Sequence, residues 1–227
     1  MKPTRIIAFG YVVALVVGVI VSPVWAEEGA DKPRELVAVE VREYEGEKLS
    51  SIEEFRENSI RGPQQIDREG CSLSITGLVS SPIALDYEQV LENDSYSKIV
   101  TLNCVEGWGV DILWEGILLE DLIDSAHALS GARQVIFHAH DGYTTSLPLE
   151  YIRDNDILLA YKMNGVTLPP ERGFPFQLVA EEKWGYKWIK WVTKIELSDD
   201  AGYRGYWEDR GYSDDADVGE NFFNYLN

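Results

Sequence analysis

Cys104 is the residue of this chain with the most obvious chemistry. It stands in the stretch TLNCVEGWG, which begins at Thr101; β-forming residues precede it, and glycines and tryptophans follow it. A strand that ends here would deliver the thiol to the start of a loop. Four interpretations are open from the residues alone: a soft metal ligand, a nucleophile with a histidine as base, a disulfide partner of Cys71, or a small buried apolar side chain.

Two histidines, His138 and His140, form a second candidate site. Residues two apart on a strand face the same side, so the two imidazoles could hold zinc or copper, or serve Cys104 as a base. No third ligand is close to them in the sequence. A polar strand end that faces a cleft is the alternative interpretation.

A third candidate is the segment KWGYKWIKWVTK, from Lys183 to Lys194, which holds four lysines in an otherwise acidic chain. Lysine binds phosphate as a point charge, and the backbone N–H groups of a glycine turn can add to it, so the segment suits a phosphorylated cofactor. The alternative is a strand whose lysines face water while its tryptophans face the core.

The overall charge excludes some classes of function. The formal net charge is −19, which argues against nucleic acid or anionic lipid as a partner, because both select basic surfaces. The chain also lacks the sequence motifs of dinucleotide sites, P-loops, HExxH metalloenzymes, CxxC sites and serine hydrolases.

The elements that must position these residues are many short strands and few helices, which predicts an α+β fold. A helix is predicted over 86–93 with Asp86 as N-cap, another over 117–129 ended by Gly131, and a brief one over 149–153. Asn164-Gly165 predicts a hairpin. The predicted strands are 71–79, 98–103, 110–113, 134–140, 144–149, 157–163, 176–180 and 188–197. The aromatic, acidic segment after residue 202 is expected to fold back onto the domain.

The N-terminus predicts export. Lys2 and Arg5 precede an apolar run over 6–21, and small residues allow cleavage after Ala26. An uncleaved anchor is the alternative, although the run is short for a membrane span. The predicted organisation is an export signal over 1–26, an acidic lead-in over 27–50 and one domain over 51–227, located in the periplasm or outside the cell.

Four segments, in order, resemble the molybdopterin-binding domain of the sulfite oxidase family. They are LNCVEGW with the following WEG, LLAYKMNG with LPPERGFP, GYKWIKW, and WEDRGY. The first is similar to the cysteine segment of bacterial periplasmic methionine-sulfoxide reductase catalytic subunits. The resemblance covers about residues 55 to 215 and implies that family's α+β fold, with mixed sheets, short helices and long loops.

The resemblance also implies roles for individual residues. Cys104 would be the thiolate ligand to the metal, and Tyr212 and Arg61 would act at its open side. Arg172 stands where the family has Asn or His, and Gln177 where it has Arg, so one phosphate contact is weakened or moved. The implied cofactor-binding set is Asn58, Ser59, Ile60, Arg61, Cys104, Asp141, Arg172, Gln177, Trp188, Ile189 and Lys190. Arg61, Arg172, Arg204 and Arg210 are the candidates for a positive pocket.

The activity implied is oxygen-atom transfer to or from a small substrate, such as sulfite, a sulfoxide or an N-oxide, with a molybdenum or tungsten molybdopterin. Electrons would be exchanged with a separate haem or quinone-linked protein. No nucleic acid partner is expected, nor a membrane span unless the signal stays uncleaved. The alternative is a cofactor-free exported binding module on the same fold. The resemblance further implies that Cys71 and Cys104 are not paired.

Overall fold

A computed structural model describes residues 39–224 of the chain. The predictions for the export signal over 1–26 and for the first part of the acidic lead-in lie outside the described residues. Within them the fold is α+β, with short helices α1 (Tyr87–Leu91), α2 (Leu119–Ser125) and α3 (Leu149–Asp154). The strands are β1 (Glu43–Tyr44), β2 (Glu47–Lys48), β3 (Ser72–Gly77), β4 (Ile83–Asp86), β5 (Tyr96–Asn103), β6 (Gly109–Leu118), β7 (Gln134–Ala139), β8 (Thr144–Pro148), β9 (Leu158–Met163), β10 (Val166–Thr167), β11 (Gln177–Val179) and β12 (Val192–Ser198).

The first large sheet is antiparallel and carries the cysteine hairpin. Its strands run in the order β10-β9-β6-β5, and β11 also pairs with β9. β5 and β6 pair from Tyr96 opposite Gly116 to Asn103 opposite Gly109. This register leaves 104–108 as a tight loop at the end of the hairpin, and Cys104 is its first residue.

The second large sheet is mixed, with the order β4-β3-β12-β7-β8. β12 runs parallel to β3 and antiparallel to β7. One hydrophobic core includes fully buried side chains of both sheets, among them Ile75, Phe137 and Ile195 of the second sheet and Ile112 and Leu159 of the first. The segments that leave these sheets between β11 and β12, and after β12, carry four of the predicted site residues: Trp188, Ile189, Lys190 and Tyr212.

Local signals predicted several elements correctly. Asp86 caps α1, since its side chain accepts from the backbone N–H of Gln89 while the Gln89 side chain accepts from the N–H of Asp86. Asn164 and Gly165 both have positive φ values between the antiparallel strands β9 and β10, as a type I′ hairpin requires.

Three predicted boundaries are wrong, one because of pairing between strands and two because of a local change in backbone conformation. β6 continues to Leu118 through pairs with β9, so α2 covers only part of the predicted helix 117–129. The helix ends at Ser125 with Ala126 as its C-cap, His127 follows with φ +57°, and Gly131 is not the cap. The predicted strand 188–197 begins only at Val192, after a 3-10 turn and Trp191 with φ +55°.

The described ends of the chain are tied to the domain. In the lead-in, the Glu40 carboxylate accepts from the Asn164 side chain and from the N–H of Ile52. At the other end, Tyr212 forms a β-bridge with Phe223, which agrees with the expectation that the aromatic tail folds back. Within residues 39–224, no helix has both the length and the apolar character to cross a membrane.

Gly116 provides a test of the close contact between β6 and β9. A Cβ on Gly116 would lie 2.2 Å from the carbonyl oxygen of Leu159 and 2.6 Å from the Cα of Ala160. We expect Gly116→Ala to lower the free energy of unfolding by about 1–3 kcal/mol, because the two backbones must separate. Urea unfolding measures the change. Gly70→Ala is the control, since a Cβ there meets nothing within 4 Å; an equal effect of both variants would contradict the explanation.

Candidate active site

One cavity of about 440 Å³ collects residues from six segments of the chain. Cys104 lies at its wall, on the loop between β5 and β6. The other contributions come from 55–62, the turn at 141–143, the 171–177 segment, the 185–191 segment and the tail residues Trp207 and Tyr212.

The local backbone fixes where Cys104 points its side chain. The N–H of Cys104 donates to the carbonyl of Trp108 at 2.8 Å, and the N–H of Gly107 donates back to the carbonyl of Cys104 at 3.0 Å. Gly107 has φ +88°, a value that glycine adopts easily. Gly185 supplies the room beside the cysteine, because a Cβ there would lie 3.3 Å from the carbonyl oxygen of Asn103.

The Cys104 thiol is shielded from bulk water but lines the cavity, with 9% of the residue exposed. Burial raises the pKa of the thiol, whereas hydrogen bonds from a backbone N–H and from the Asn58 amide lower it. The Asn58 Nδ2 atom lies 3.7 Å from Sγ. A cation or metal in the cavity would therefore be needed to hold this sulfur as a thiolate at neutral pH.

Both cysteines are free thiols in the structure. Cys71 is buried in the hydrophobic core, and burial raises the pKa of its thiol to about 11. This agrees with the expectation that Cys71 and Cys104 are unpaired.

Arg172 holds one wall of the cavity in place. Its guanidinium donates to the carbonyls of Ile52 and Phe55, both at 2.7 Å, and of Arg56 at 3.4 Å, and it stacks on the Phe55 ring. The backbone of the 52–56 segment thus satisfies most of its donors. Arg172 lines the cavity, but its charge is committed to the protein rather than offered to a ligand.

We expect Arg172→Met to loosen this wall. Loss of the charged hydrogen bonds to three carbonyls should lower the free energy of unfolding by about 2–3 kcal/mol, and limited proteolysis should cut within 52–60. Arg133→Met is the matched control, since exposed Arg133 also donates to two backbone carbonyls. A 52–60 segment as protected as in the wild type would disprove the holding role.

Lys190 is the other basic side chain on this side of the cavity. Its ammonium contacts the Glu57 carboxylate at 2.5 Å. Burial lowers the pKa of Lys190, and Glu57 opposes that shift. The Lys190 side chain is mostly buried, so Glu57 and Lys190 form a shielded pair at the cavity wall.

Aromatic rings form another wall of the cavity. The Tyr212 ring lies 5.0 Å from the Trp207 ring and 5.1 Å from the Tyr186 ring, between centroids, and all three line the cavity. Phe223 packs on Tyr212 at 4.7 Å. Trp108 and Tyr143 add further aromatic surface to the lining.

The structure brings most of the predicted site residues to this cavity. Its lining includes Asn58, Ser59, Ile60, Cys104, Asp141, Arg172, Gln177, Trp188, Ile189, Lys190 and Tyr212. Arg61 is not in the lining: it is exposed, and its guanidinium lies beside Gly142. The proposed positive pocket is also wrong in part, because Arg204 pairs with Asp214 and Arg210 lies over the Tyr206 ring.

The lysine segment does not act as one cluster. Each of its four lysines has a different carboxylate partner: Asp217 for Lys183, Glu208 for Lys187, Glu57 for Lys190 and Glu196 for Lys194. Only Lys190 lines the cavity. The irregular backbone between Trp184 and Trp191 turns the side chains in different directions, which periodicity could not predict.

The two-histidine metal site finds no support. His138 contacts Glu196 at 3.0 Å, while His140 is exposed. Within the described part of the chain, no group of three or more His, Cys, Asp and Glu side chains could hold a metal ion. A metal bound at Cys104 must therefore bring most of its ligands with it.

Sequence reasoning missed several lining residues, among them Phe55, Arg56, Glu106, Trp108, Tyr143 and Trp207. Arg56 pairs with Glu106 at 3.1 Å, and Glu106 also accepts from the Trp108 indole. Arg56, Glu106 and Trp108 could have been predicted as lining residues, because they lie close to Asn58 or Cys104 in the sequence.

Comparison with known proteins shows the family of the chain. Residues 60–207 match the family described as oxidoreductase molybdopterin binding domain. An uncharacterized oxidoreductase of Bacillus subtilis is 34% identical, with 70% of this chain and 80% of that protein covered. The catalytic subunit of protein-methionine-sulfoxide reductase of Gluconobacter oxydans is also 34% identical, but the match covers 56% of this chain and 47% of that protein.

Among solved structures, the sulfane dehydrogenase SoxCD from Paracoccus pantotrophus is similar in fold. Its TM-score is 0.61 at 22% identity, and the match covers 68% of this chain and 43% of that one. The chain therefore spans about half the length of the methionine-sulfoxide reductase subunit and less than half of the sulfane dehydrogenase chain.

Proposed function

This chain belongs to the oxidoreductase molybdopterin-binding domain family, of sulfite oxidase type, and we propose that it reduces a small neutral oxide, of the sulfoxide or N-oxide kind, with Cys104 as the metal's protein ligand. It is a molybdopterin-dependent oxidoreductase by family. The observation that carries the proposal is the Cys104 thiol at the wall of the large cavity.

The residues of the cavity fit a molybdopterin. They offer a single soft ligand, which suits a metal whose remaining ligands come with the pterin dithiolene. Gly185, which lines the cavity, adds no side chain beside Cys104, while Gly173 lets the Lys190 side chain pack closely, since a Cβ there would lie 3.0 Å from it. Trp188, Ile189 and Lys190 would hold the pterin phosphate, and 58–60, Asp141 and Gln177 would contact the rest of the cofactor.

Each protein group then has a defined task. When bound, the cofactor supplies two-electron oxygen-atom chemistry. The Tyr212 hydroxyl would donate a hydrogen bond to the oxide oxygen of the substrate. The Trp207, Tyr186 and Trp108 side chains would pack around the substrate's apolar part and exclude water. We assign Arg61 no contact with the substrate in this scheme, because it is not in the lining.

The charge of the cavity favours a neutral substrate over sulfite. Four carboxylates line it, on Glu57, Glu106, Asp141 and Glu171, against three basic groups. Arg56 and Lys190 are paired with two of those carboxylates, and the Arg172 guanidinium is used by backbone carbonyls. An anion would enter against this local charge and against the −19 of the whole chain.

Turnover with artificial redox partners tests the substrate class. Purified protein, loaded with cofactor, should reoxidise a reduced viologen in the presence of a small sulfoxide or N-oxide. With sulfite and ferricyanide the rate should be far lower. Sulfite oxidation at a rate equal to or above oxide reduction would overturn the neutral-substrate proposal, while leaving the family membership untouched.

The setting of the reaction is part of the proposal. We propose that residues 1–26 direct export, that 27–50 lead into a domain over 51–227, and that the protein works in the periplasm or outside the cell. We further propose that molybdenum rather than tungsten is bound, and that a separate haem or quinone-linked protein supplies electrons. One relative is named as a protein-methionine-sulfoxide reductase catalytic subunit, which supports this type of reaction.

A further inference from the structure

A fully buried ion pair lies behind the cavity, outside its lining. The Lys187 ammonium contacts the Glu208 carboxylate at 2.6 Å, with side-chain exposures of 2% and 1%. Glu208 Oε1 also accepts from the Thr145 hydroxyl at 2.8 Å, and Lys187 donates to the carbonyl of Ser146 at 3.1 Å. The other carboxylate oxygen, Oε2, is buried and has no hydrogen-bond partner within the described residues.

The pair joins two of the segments that line the cavity. Lys187 lies between Tyr186 and Trp188, and both of these neighbours line the cavity. Glu208 directly follows Trp207 and stands four residues before Tyr212. Trp207 and Tyr212 both belong to the aromatic wall of the cavity. Thr145 and Ser146 belong to β8, so the pair also fixes both segments to the second sheet.

The backbone around the pair leaves little free space. A Cβ on Gly205 would lie 2.4 Å from the carbonyl oxygen of Thr144 and 2.9 Å from Glu208 Oε2. The N–H of Tyr206 donates to that same carbonyl at 2.9 Å. The segment that carries Trp207 therefore crosses β8 in close contact, and a shift of the Glu208 carboxylate would be transmitted to Trp207.

Stability alone does not account for such a pair. Removing two charges from water costs several kcal/mol each, and replacing a buried pair by apolar side chains of similar volume is often neutral or stabilising. What the charges supply is a single geometry, because ammonium and carboxylate must meet at one distance and angle. Two apolar side chains would allow the segments that carry them to shift relative to each other, whereas an ion pair restricts such a shift.

We propose that Lys187 and Glu208 are positioning residues, which set the Trp207–Tyr212 wall against the cofactor-binding segment without touching substrate or cofactor. The kinetic part of this proposal rests on the proposed function, since it assumes turnover at the cavity. The structural part does not, because it concerns how rigidly residues 205–212 are held in the protein itself.

The test is the double variant Lys187→Met with Glu208→Leu, which removes both charges and keeps the volume. Its unfolding midpoint in urea should be close to that of the wild type. Amide hydrogen exchange over 205–212, measured without cofactor, should be about tenfold faster, with exchange in β3, β7 and β12 unchanged. In loaded protein, kcat should fall about 10- to 100-fold with little change in KM and unchanged metal content.

Unchanged exchange over 205–212, or wild-type kcat in a folded double variant, would overturn the positioning role. If the wild type itself carries no metal or activity, the proposed function fails while the exchange experiment still decides the structural part. If the double variant does not fold, Thr145→Val replaces it, since that change removes one bond to Glu208 and keeps both charges. Faster exchange over 205–212 is then expected, and exchange identical to the wild type would overturn the proposal.

Discussion

Cys104→Ser is expected to abolish turnover and to weaken metal binding while the domain stays folded. Serine has nearly the volume of cysteine, so the loop between β5 and β6 keeps its hydrogen bonds. A hydroxyl is a hard donor that does not ionise at neutral pH, and the described lining holds no other thiol. Activity should fall by at least about 100-fold, as the loss of a metal contact requires. Metal analysis, turnover and circular dichroism measure the three parts of this expectation.

Cys71→Ala is the matched control for this variant. Cys71 is as buried as Cys104, but it lies in the hydrophobic core and not in the cavity lining. The control should keep its metal and its activity with a modest loss of stability. Wild-type turnover in Cys104→Ser, or loss of metal and turnover from Cys71→Ala alone, would contradict the ligand assignment.

Glu208→Ala should produce the largest loss of stability of any single change considered. The substitution leaves the Lys187 ammonium buried without its carboxylate and removes the acceptor of the Thr145 hydroxyl. Breaking one side of a buried pair costs about 3–5 kcal/mol, because the remaining charge cannot regain its hydration. Urea unfolding followed by tryptophan fluorescence measures the change.

An exposed ion pair provides the comparison for this result. Glu88 accepts two hydrogen bonds from Arg68 at 2.6 and 3.0 Å, yet both side chains are more than half exposed. Glu88→Gln should leave the unfolding midpoint nearly unchanged, since solvent screens such a pair. Equal effects of the two substitutions would mean that burial does not govern the Glu208 result.

The sequence was most informative where one short segment determines the structure. Asp86 with Gln89 specifies the start of α1, and Asn164-Gly165 specifies the turn before β10, because both signals act within four residues. The start of α2 could not be predicted in this way. Its first predicted turn belongs to β6, which is held by pairs with Leu158 and Leu159 about forty residues away.

The same distinction applies to the site. Cys104 and Tyr212 lie in recognisable segments, and the structure brings both to one cavity. The partners of the basic side chains were less predictable, because the sequence does not show which acidic side chain or carbonyl each one contacts in the folded chain. Arg172 donates hydrogen bonds to carbonyls more than one hundred residues earlier in the chain. Lys187 pairs with a glutamate that no local sequence pattern connects to it.

The most direct test of the account is the molybdenum and pterin content of the purified protein. The protein should be produced in a host that makes the cofactor, with Cys104→Ser prepared in parallel. We predict about one molybdenum and one pterin per wild-type chain, and less molybdenum in the variant, whose metal has lost its one protein ligand while the pterin keeps its other contacts. Folded wild-type protein that contains neither molybdenum nor pterin would contradict the central claim.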